Sequence, residues 1–368
     1  MNSTTLKSQR LLSLDLLRGM TVAGMILVNN GNGDSFAMLR HSEWNGMTPC
    51  DLVFPFFLYI MGLSTYLSLS KTGFQATRPV VWKIVRRTLL LFLIGEGIIW
   101  FSHAIGGDLL CFDHLRIFAV LQRIALCYFF VSLFALTVSH RYTVPVIILL
   151  LALYSLLLLF GNGYAPDSTN IAYRIDAAVL GEAHLYHHSP IDPEGLLGTL
   201  SATAHALIGF YCGKLMSEAP TVEQKALRFF MAGTLLTLGG YLLSYGLPLN
   251  KAVWSPSFAM VTCGLASLLH GALIMWIDQP KTEGGTKGLW VGWTFFRVFG
   301  INPLALYVLS ELTAILMWHF GIAELLYGII NRLVPWPSWS ALCYALCIVA
   351  FIFLVGYVLY RKKIYIKL

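Results

Sequence analysis

The chain has 368 residues, 57% hydrophobic and only 12% charged, with a mean hydropathy of +0.70, whereas soluble domains run near a quarter charged. That balance excludes a water-soluble globular fold. The net charge of +7 does not mark a nucleic-acid partner either, because the basic residues gather beside the ends of apolar runs, as they do in membrane proteins.

Apolar runs of roughly 18 to 25 residues recur along the chain, each long enough to cross a hydrocarbon core of about 30 Å as a helix. Lys7 and Arg10 precede the first run in the manner of a signal peptide, but Asp15 and Arg18 interrupt it and no small-residue cleavage site follows. Residues 11–30 therefore read as a retained first span. Asp15 and Arg18 lie three apart on one helix face. Either they neutralise each other, or Arg18 meets an anionic group such as a phosphate, for which a guanidinium fork is suited.

The turn after this span holds the densest polar chemistry: Asn29, Asn30, Gly31, Asn32 and Gly33, then the run from Arg40 to Asp51. Gly and Asn allow tight, irregular backbone. Trp44, Asn45 and Asp51 supply a stacking surface and hydrogen-bonding groups of the kind that hold sugars. His41 is the one base here that is neutral near physiological pH.

Spans follow at 52–70, 84–102, 116–138 and 144–162. Arg123 follows Gln122 inside the fourth, where an unpaired charge is costly, so it should face a cavity or an acid. The loop 163–195 is long, acidic and His-rich, and is expected to cap a cavity. Its His187–His188 pair reads as solvated or structural rather than metal-binding. The remaining spans are 196–216, 227–248, 256–277, 294–318 and 338–360. Glu96, His205, His270, Arg297 and Glu311, placed within or beside spans, are expected to make interhelical hydrogen bonds.

The expected fold class is therefore all-α, a polytopic bundle of about ten membrane helices forming one domain over 1–368. Loops on one side hold nearly all the Lys and Arg, while the other side holds Arg40, Arg174, Lys251 and Arg332. The positive-inside rule then places both termini in the cytoplasm. The seven cysteines lack the paired spacing of a metal site, and only Cys50 and Cys111 lie where a disulfide could join two span edges.

Several blocks together carry a resemblance: Ser13-Leu14-Asp15-Leu16-Leu17-Arg18-Gly19, Val28-Asn29, and His41-x-x-Trp44-Asn45-Gly46-x-Thr48-x-x-Asp51-Leu52-Val53-Phe54-Pro55. Val120-Leu121-Gln122-Arg123-Ile124, Asp192-Pro193-Glu194-Gly195, Asn250-Lys251-x-x-Trp254-Ser255 and Gly300-x-Asn302-x-Leu304 follow in order. This set resembles the heparan-α-glucosaminide N-acetyltransferase family, which includes a lysosomal enzyme and bacterial transmembrane acetyltransferases. The acyltransferase-3 group, which O-acylates surface sugars, also begins with an Asp-x-x-Arg-Gly helix but lacks the His-x-x-Trp-Asn-Gly block.

The resemblance implies acetyl transfer from cytosolic acetyl-CoA to the amine of a glucosamine across the membrane, with no metal. It places the family's active-site histidine on His41 and its catalytic asparagine on Asn29. It also makes Trp44, Asn45, Asp51, Glu194, Lys251 and Trp254 the acceptor-binding candidates. Arg18, Arg86, Arg87, Gln122, Arg123 and Asn302 become the candidates for holding CoA. The expected location is a bacterial inner membrane with the site opening to the periplasm, and a homodimer is compatible with the family.

From Arg18 to Asn29 the helix rises about 16 Å, the order of a pantetheine arm. His41 would act as general base toward the amine or carry the acetyl group transiently, and Asn29 would stabilise the oxyanion. A sugar or anion transporter is the competing class, since intramembrane charges suit it equally; a structural scaffold would have little use for the polar turn.

Overall fold

A computed structural model describes residues 11–31, 34–186, 189, 191–279 and 290–366, and the ordered elements among them are all helical. Chain order gives α1 (Leu12–Asn29), α2 (Val53–Leu69), α3 (Arg78–Ile105), α4 (Val120–Thr137), α5 (Thr143–Phe160), α6 (Ile171–Leu180) and α7 (Thr199–Ser217). Then come α8 (Val222–Leu243), α9 (Pro256–Leu273), α10 (Trp290–Ile301), α11 (Pro303–His319), α12 (Ile322–Leu333) and α13 (Pro337–Arg361). The His187–His188 pair lies outside the described residues.

Eight of these helices are individually long and apolar enough to cross a membrane: α1, α2, α3, α4, α5, α8, α9 and α13. The protein is a polytopic helical membrane protein. Residues 294–318, expected as one straight span, are instead a broken pair, α10 and α11, bent by 87°. Pro303 lacks the N–H that would continue the ladder and disfavours helical backbone at the residue before it. Asn302 accordingly leaves the helical region, with φ −122° and ψ 53°.

The expected span 196–216 corresponds to α7, which is long enough but rich in Ser, Thr, Ala and Gly. Other helices surround it rather than lipid, so its surface need not be apolar. A Cβ on Gly62 of α2 would stand 1.9 Å from the Ala206 carbonyl of α7, and one on Gly209 would stand 2.2 Å from that of Tyr59. Such contact is how small residues let membrane helices approach. The short α12, not foreseen in the sequence, turns Ile322, Leu325, Ile329 and Leu333 outward.

The described residues of 161–186 and 191–198 form a folded cap rather than an open loop. Asn170 caps α6 by accepting from the Ala172 N–H at 2.8 Å, and its amide donates to the carbonyls of Gly163 and Ala165. Tyr154, Leu158, Ala172, Ile191 and Val253 form a small separate core beneath it. The bundle thus has two ends: one holds Arg18, Lys83 and Arg87, and the other holds Asn29, His41 and the cap.

Candidate functional site

The His41 end is assembled from two turns far apart in sequence. In the first, Thr48-Pro49-Cys50-Asp51 forms a capping box: the Asp51 carboxylate accepts from the Thr48 N–H at 3.0 Å. Its Oδ2 also accepts from the Ser42 N–H at 3.1 Å. Oδ1 then points at His41, whose Nδ1 lies 2.7 Å away. Asp51 is fully buried, while the His41 side chain is 56% exposed.

The second turn presents Lys251. The Asn250 side-chain oxygen accepts from the Val253 N–H at 3.0 Å, and Ser255 caps α9 by accepting from Phe258. Trp254 closes the turn in left-handed backbone, with φ 49°. The turns dock through the Gly46 N–H to the Leu249 carbonyl at 2.7 Å and the Asn250 amide to the Asn45 oxygen at 3.1 Å. Docking sets the Lys251 ammonium 3.0 Å from His41 Nδ1, 3.3 Å from Nε2 and 3.4 Å from Asp51 Oδ1. Cys50 Sγ stands 3.2 Å from His41 Nδ1. Both Cys50 and Cys111 are free thiols, so the disulfide is not formed.

An Asp51 carboxylate on Nδ1 favours the imidazole tautomer that carries its proton there. Nε2 then keeps the lone pair, which the Lys251 ammonium approaches at 3.3 Å.

Asn29 is bound elsewhere: its amide donates to Glu311 Oε1 of α11 at 3.0 Å. Trp44 donates its indole N–H to the Tyr164 carbonyl at 2.9 Å and so holds the cap rather than standing open. Asn45 is exposed. Glu194 is drawn onto Arg116, whose Nη2 contacts it at 2.7 Å and Asp192 at 2.6 Å. Burial by itself disfavours the Arg116 cation, and the hydrogen bonds and charges of the two carboxylates outweigh it, raising its pKa. Trp254 is 1% exposed, packed edge-on to Phe54 and His205 and lying beneath the Arg123 guanidinium. It belongs to the core and is not presented to an acceptor.

At the opposite end lies a cavity of about 390 Å³ lined by Arg18, Ser64, Ser68, Lys83, Arg87 and the apolar faces of α2, α3 and α4. Arg18 donates to Ser64 Oγ at 3.1 Å and pairs with Asp15 at 3.3 Å. The cavity reaches inward as far as Phe57 and Leu91. Phe57 stands six residues along the chain from Asp51, a rise of about 9 Å if helical throughout.

Of the residues expected to hold CoA, Arg18 and Arg87 line this cavity. Arg86 is exposed on a neighbouring face of α3. Gln122 and Arg123 are turned away: Gln122 donates to Glu96 Oε1 at 3.1 Å, and Arg123 donates to the Gly195 carbonyl under the cap at 2.8 Å. Asn302 donates to the Ile364 carbonyl and accepts from the Ile366 N–H, both at 2.9 Å, which seats Ile366 in the cavity wall.

Sequence reasoning passed over Lys83, Ser64 and Ser68. The signal was there: Lys83, Arg87 and Leu91 repeat every four residues, as do Ser64 and Ser68, so each set shares one helix face. Of the other polar groups, Glu96, His205 and Glu311 make interhelical hydrogen bonds, and His270 approaches Ser13 Oγ at 3.5 Å. Arg297 lies over the Tyr360 ring.

Residues 10–168 match the family model described as heparan-alpha-glucosaminide N-acetyltransferase, catalytic. The chain is 30% identical over 98% of its length to the human heparan-alpha-glucosaminide N-acetyltransferase and 29% identical over 98% to the mouse protein of that name. It spans 60% of the human protein's length and 61% of the mouse protein's. The matched region carries α1, the His41 turn and the cation-lined cavity's α2 and α3, and similarity continues through the Lys251 turn. Over nearly its whole length the chain is thus similar to heparan-α-glucosaminide N-acetyltransferases, and its first half matches their catalytic family model.

Proposed function

We propose that the protein transfers an acetyl group from acetyl-CoA to the amine of a glucosamine-type acceptor, with His41 as general base. The observation that carries this reading is the buried Asp51 carboxylate 2.7 Å from His41 Nδ1, on a ring otherwise more than half exposed. Nε2 is the ring nitrogen not engaged by Asp51, with the Lys251 ammonium 3.3 Å from it.

Arg18, Lys83 and Arg87 suit the phosphates of CoA, since charge-assisted contacts to phosphate are among the strong ones. With the phosphates there, the pantetheine arm points along α2 toward the His41 end. The amine nitrogen attacks the thioester carbonyl carbon, His41 Nε2 takes the amine proton, and the carbon–sulfur bond breaks to release the CoA thiolate. An amide NH2 has two protons. Asn29 directs one to Glu311, and the other suits the developing oxyanion. Lys251 adds a fixed positive charge beside the same reacting centre.

The bias of basic residues supports the Arg18 end facing the cytoplasm and the His41 end facing a periplasm. Purified protein given labelled acetyl-CoA and glucosamine should form the N-acetyl sugar without any ion gradient. His41→Ala should lose transfer while still binding acetyl-CoA. Undiminished transfer by that variant removes His41 from the chemistry. Rapid mixing without acceptor should release no CoA; a burst of free CoA and acetyl-enzyme would favour an acetyl carrier instead.

A further inference from the structure

We propose that His103, Asp108 and His114 form a zinc site at the His41 end, which fixes the loop carrying Arg116. The donor atoms of these three side chains all lie within 4.8 Å of one another. His114 Nε2 is already 3.0 Å from Asp108 Oδ2. A tetrahedral zinc with bonds of about 2.0–2.1 Å separates its ligands by about 3.3 Å. The His114–Asp108 pair therefore needs almost no movement, and His103 needs a side-chain rotation of about an ångström or two at its tip.

Local backbone explains why the three converge. α3 ends after His103, and the Asp108 N–H returns to the His103 carbonyl at 3.1 Å. Gly107, at φ 94°, makes the reversal that a side chain would resist. A short helical turn, Cys111–Asp113, then delivers His114 back over the helix end, its ring 5.3 Å from that of His103 and nearly perpendicular. An ion pair alone accounts for Asp108 and His114. It does not account for a second imidazole brought to the same point.

Two imidazoles and a carboxylate are borderline ligands that suit zinc, and with three protein ligands a fourth position remains for water. The position has a consequence for the rest of the molecule. The Leu115 carbonyl accepts from His184 Nδ1 at 2.7 Å, and Arg116 holds Asp192 and Glu194 of the cap. A metal on His114 thus anchors the loop two residues from the cation that ties down the cap.

The test uses full-length protein in detergent, stripped with chelator and titrated with zinc chloride. Zinc should bind at one equivalent per chain and raise the thermal midpoint. His103→Ala, Asp108→Asn and His114→Ala should each weaken binding about ten-fold or more, and each should abolish the midpoint shift. Cobalt in place of zinc should give the intense visible bands of tetrahedral coordination. The double variant His187→Ala/His188→Ala serves as control and should retain the full stoichiometry. Wild-type binding no tighter than that of a His103→Ala/His114→Ala variant overturns the proposal, as does loss of binding in the control. All these readouts are independent of transferase activity.

Discussion

Asp51 was expected to touch the acceptor, yet its carboxylate is fully buried and spent on Ser42, Thr48, His41 and Lys251. A residue so placed acts through His41. Replacing it by the near-isosteric Asn removes the charge and the tautomer preference while leaving the shape. Asp51→Asn should lower kcat by roughly 10²- to 10⁴-fold with little change in the KM for acceptor. A raised KM at unchanged kcat would return Asp51 to sugar binding. At the other end, Lys83→Ala and Arg87→Ala should each raise the KM for acetyl-CoA by about ten-fold, whereas Arg86→Ala should leave it unchanged. The polar turn holding His41 was legible in sequence because such residues rarely interrupt apolar runs. Its partner Lys251 was not legible as a neighbour, since it arrives from 210 residues away. Trp254 misled because an aromatic side chain reads alike as a stacking platform or as core, and burial settles which.

Helices announce themselves by length and apolarity, so nearly every expected span has its counterpart. The exceptions arise where something other than lipid decides. In α10–α11 the Asn302-Pro303 step breaks an apolar run that hydropathy alone reads as continuous. In α7, neighbouring helices replace lipid as the environment, so small and hydroxylated residues fill a segment that must still pack centrally. That packing makes its own prediction. Gly62→Val or Gly209→Val places methyl groups against backbone carbonyls of the facing helix and should destabilise the protein by about 1–3 kcal/mol. The readout is the unfolding midpoint in detergent. A fall there with intact acetyl-CoA binding in the surviving folded fraction would locate the damage in the α2–α7 seam.

Across the whole molecule, the cap joins elements that no local pattern connects: Trp44 from the first turn, Arg116 from the loop after α3, and Arg123 from α4. Its length and acidity suggested a cover, but not that Arg123 would hold it from below. Asp176 lies inside this assembly, with Oδ1 accepting from the Leu197 N–H at 3.1 Å and Oδ2 without a hydrogen-bond partner among the described residues. Burial pushes its pKa up from 3.8 to about 6. Between those values the unfolded chain has released this proton while the folded one keeps it. The stability Asp176 contributes is therefore full below about pH 4 and is lost as pH rises to about 6, with a slope of at most about 1.4 kcal/mol per pH unit. Thermal midpoints across this range should show the fall, and Asp176→Asn should flatten it. An unchanged slope in that variant would assign the effect to another group.

Asn302 ties the segment 364–366 to the break between α10 and α11, and Ile366 thereby becomes part of the wall around the cation-lined cavity. This segment is thus a stopper held in place by Asn302. Removing residues from 364 onward should loosen the grip on acetyl-CoA without touching any group that meets the acceptor. For the same reason, any change that pulls Ile366 off Asn302 should widen the mouth through which the cofactor enters.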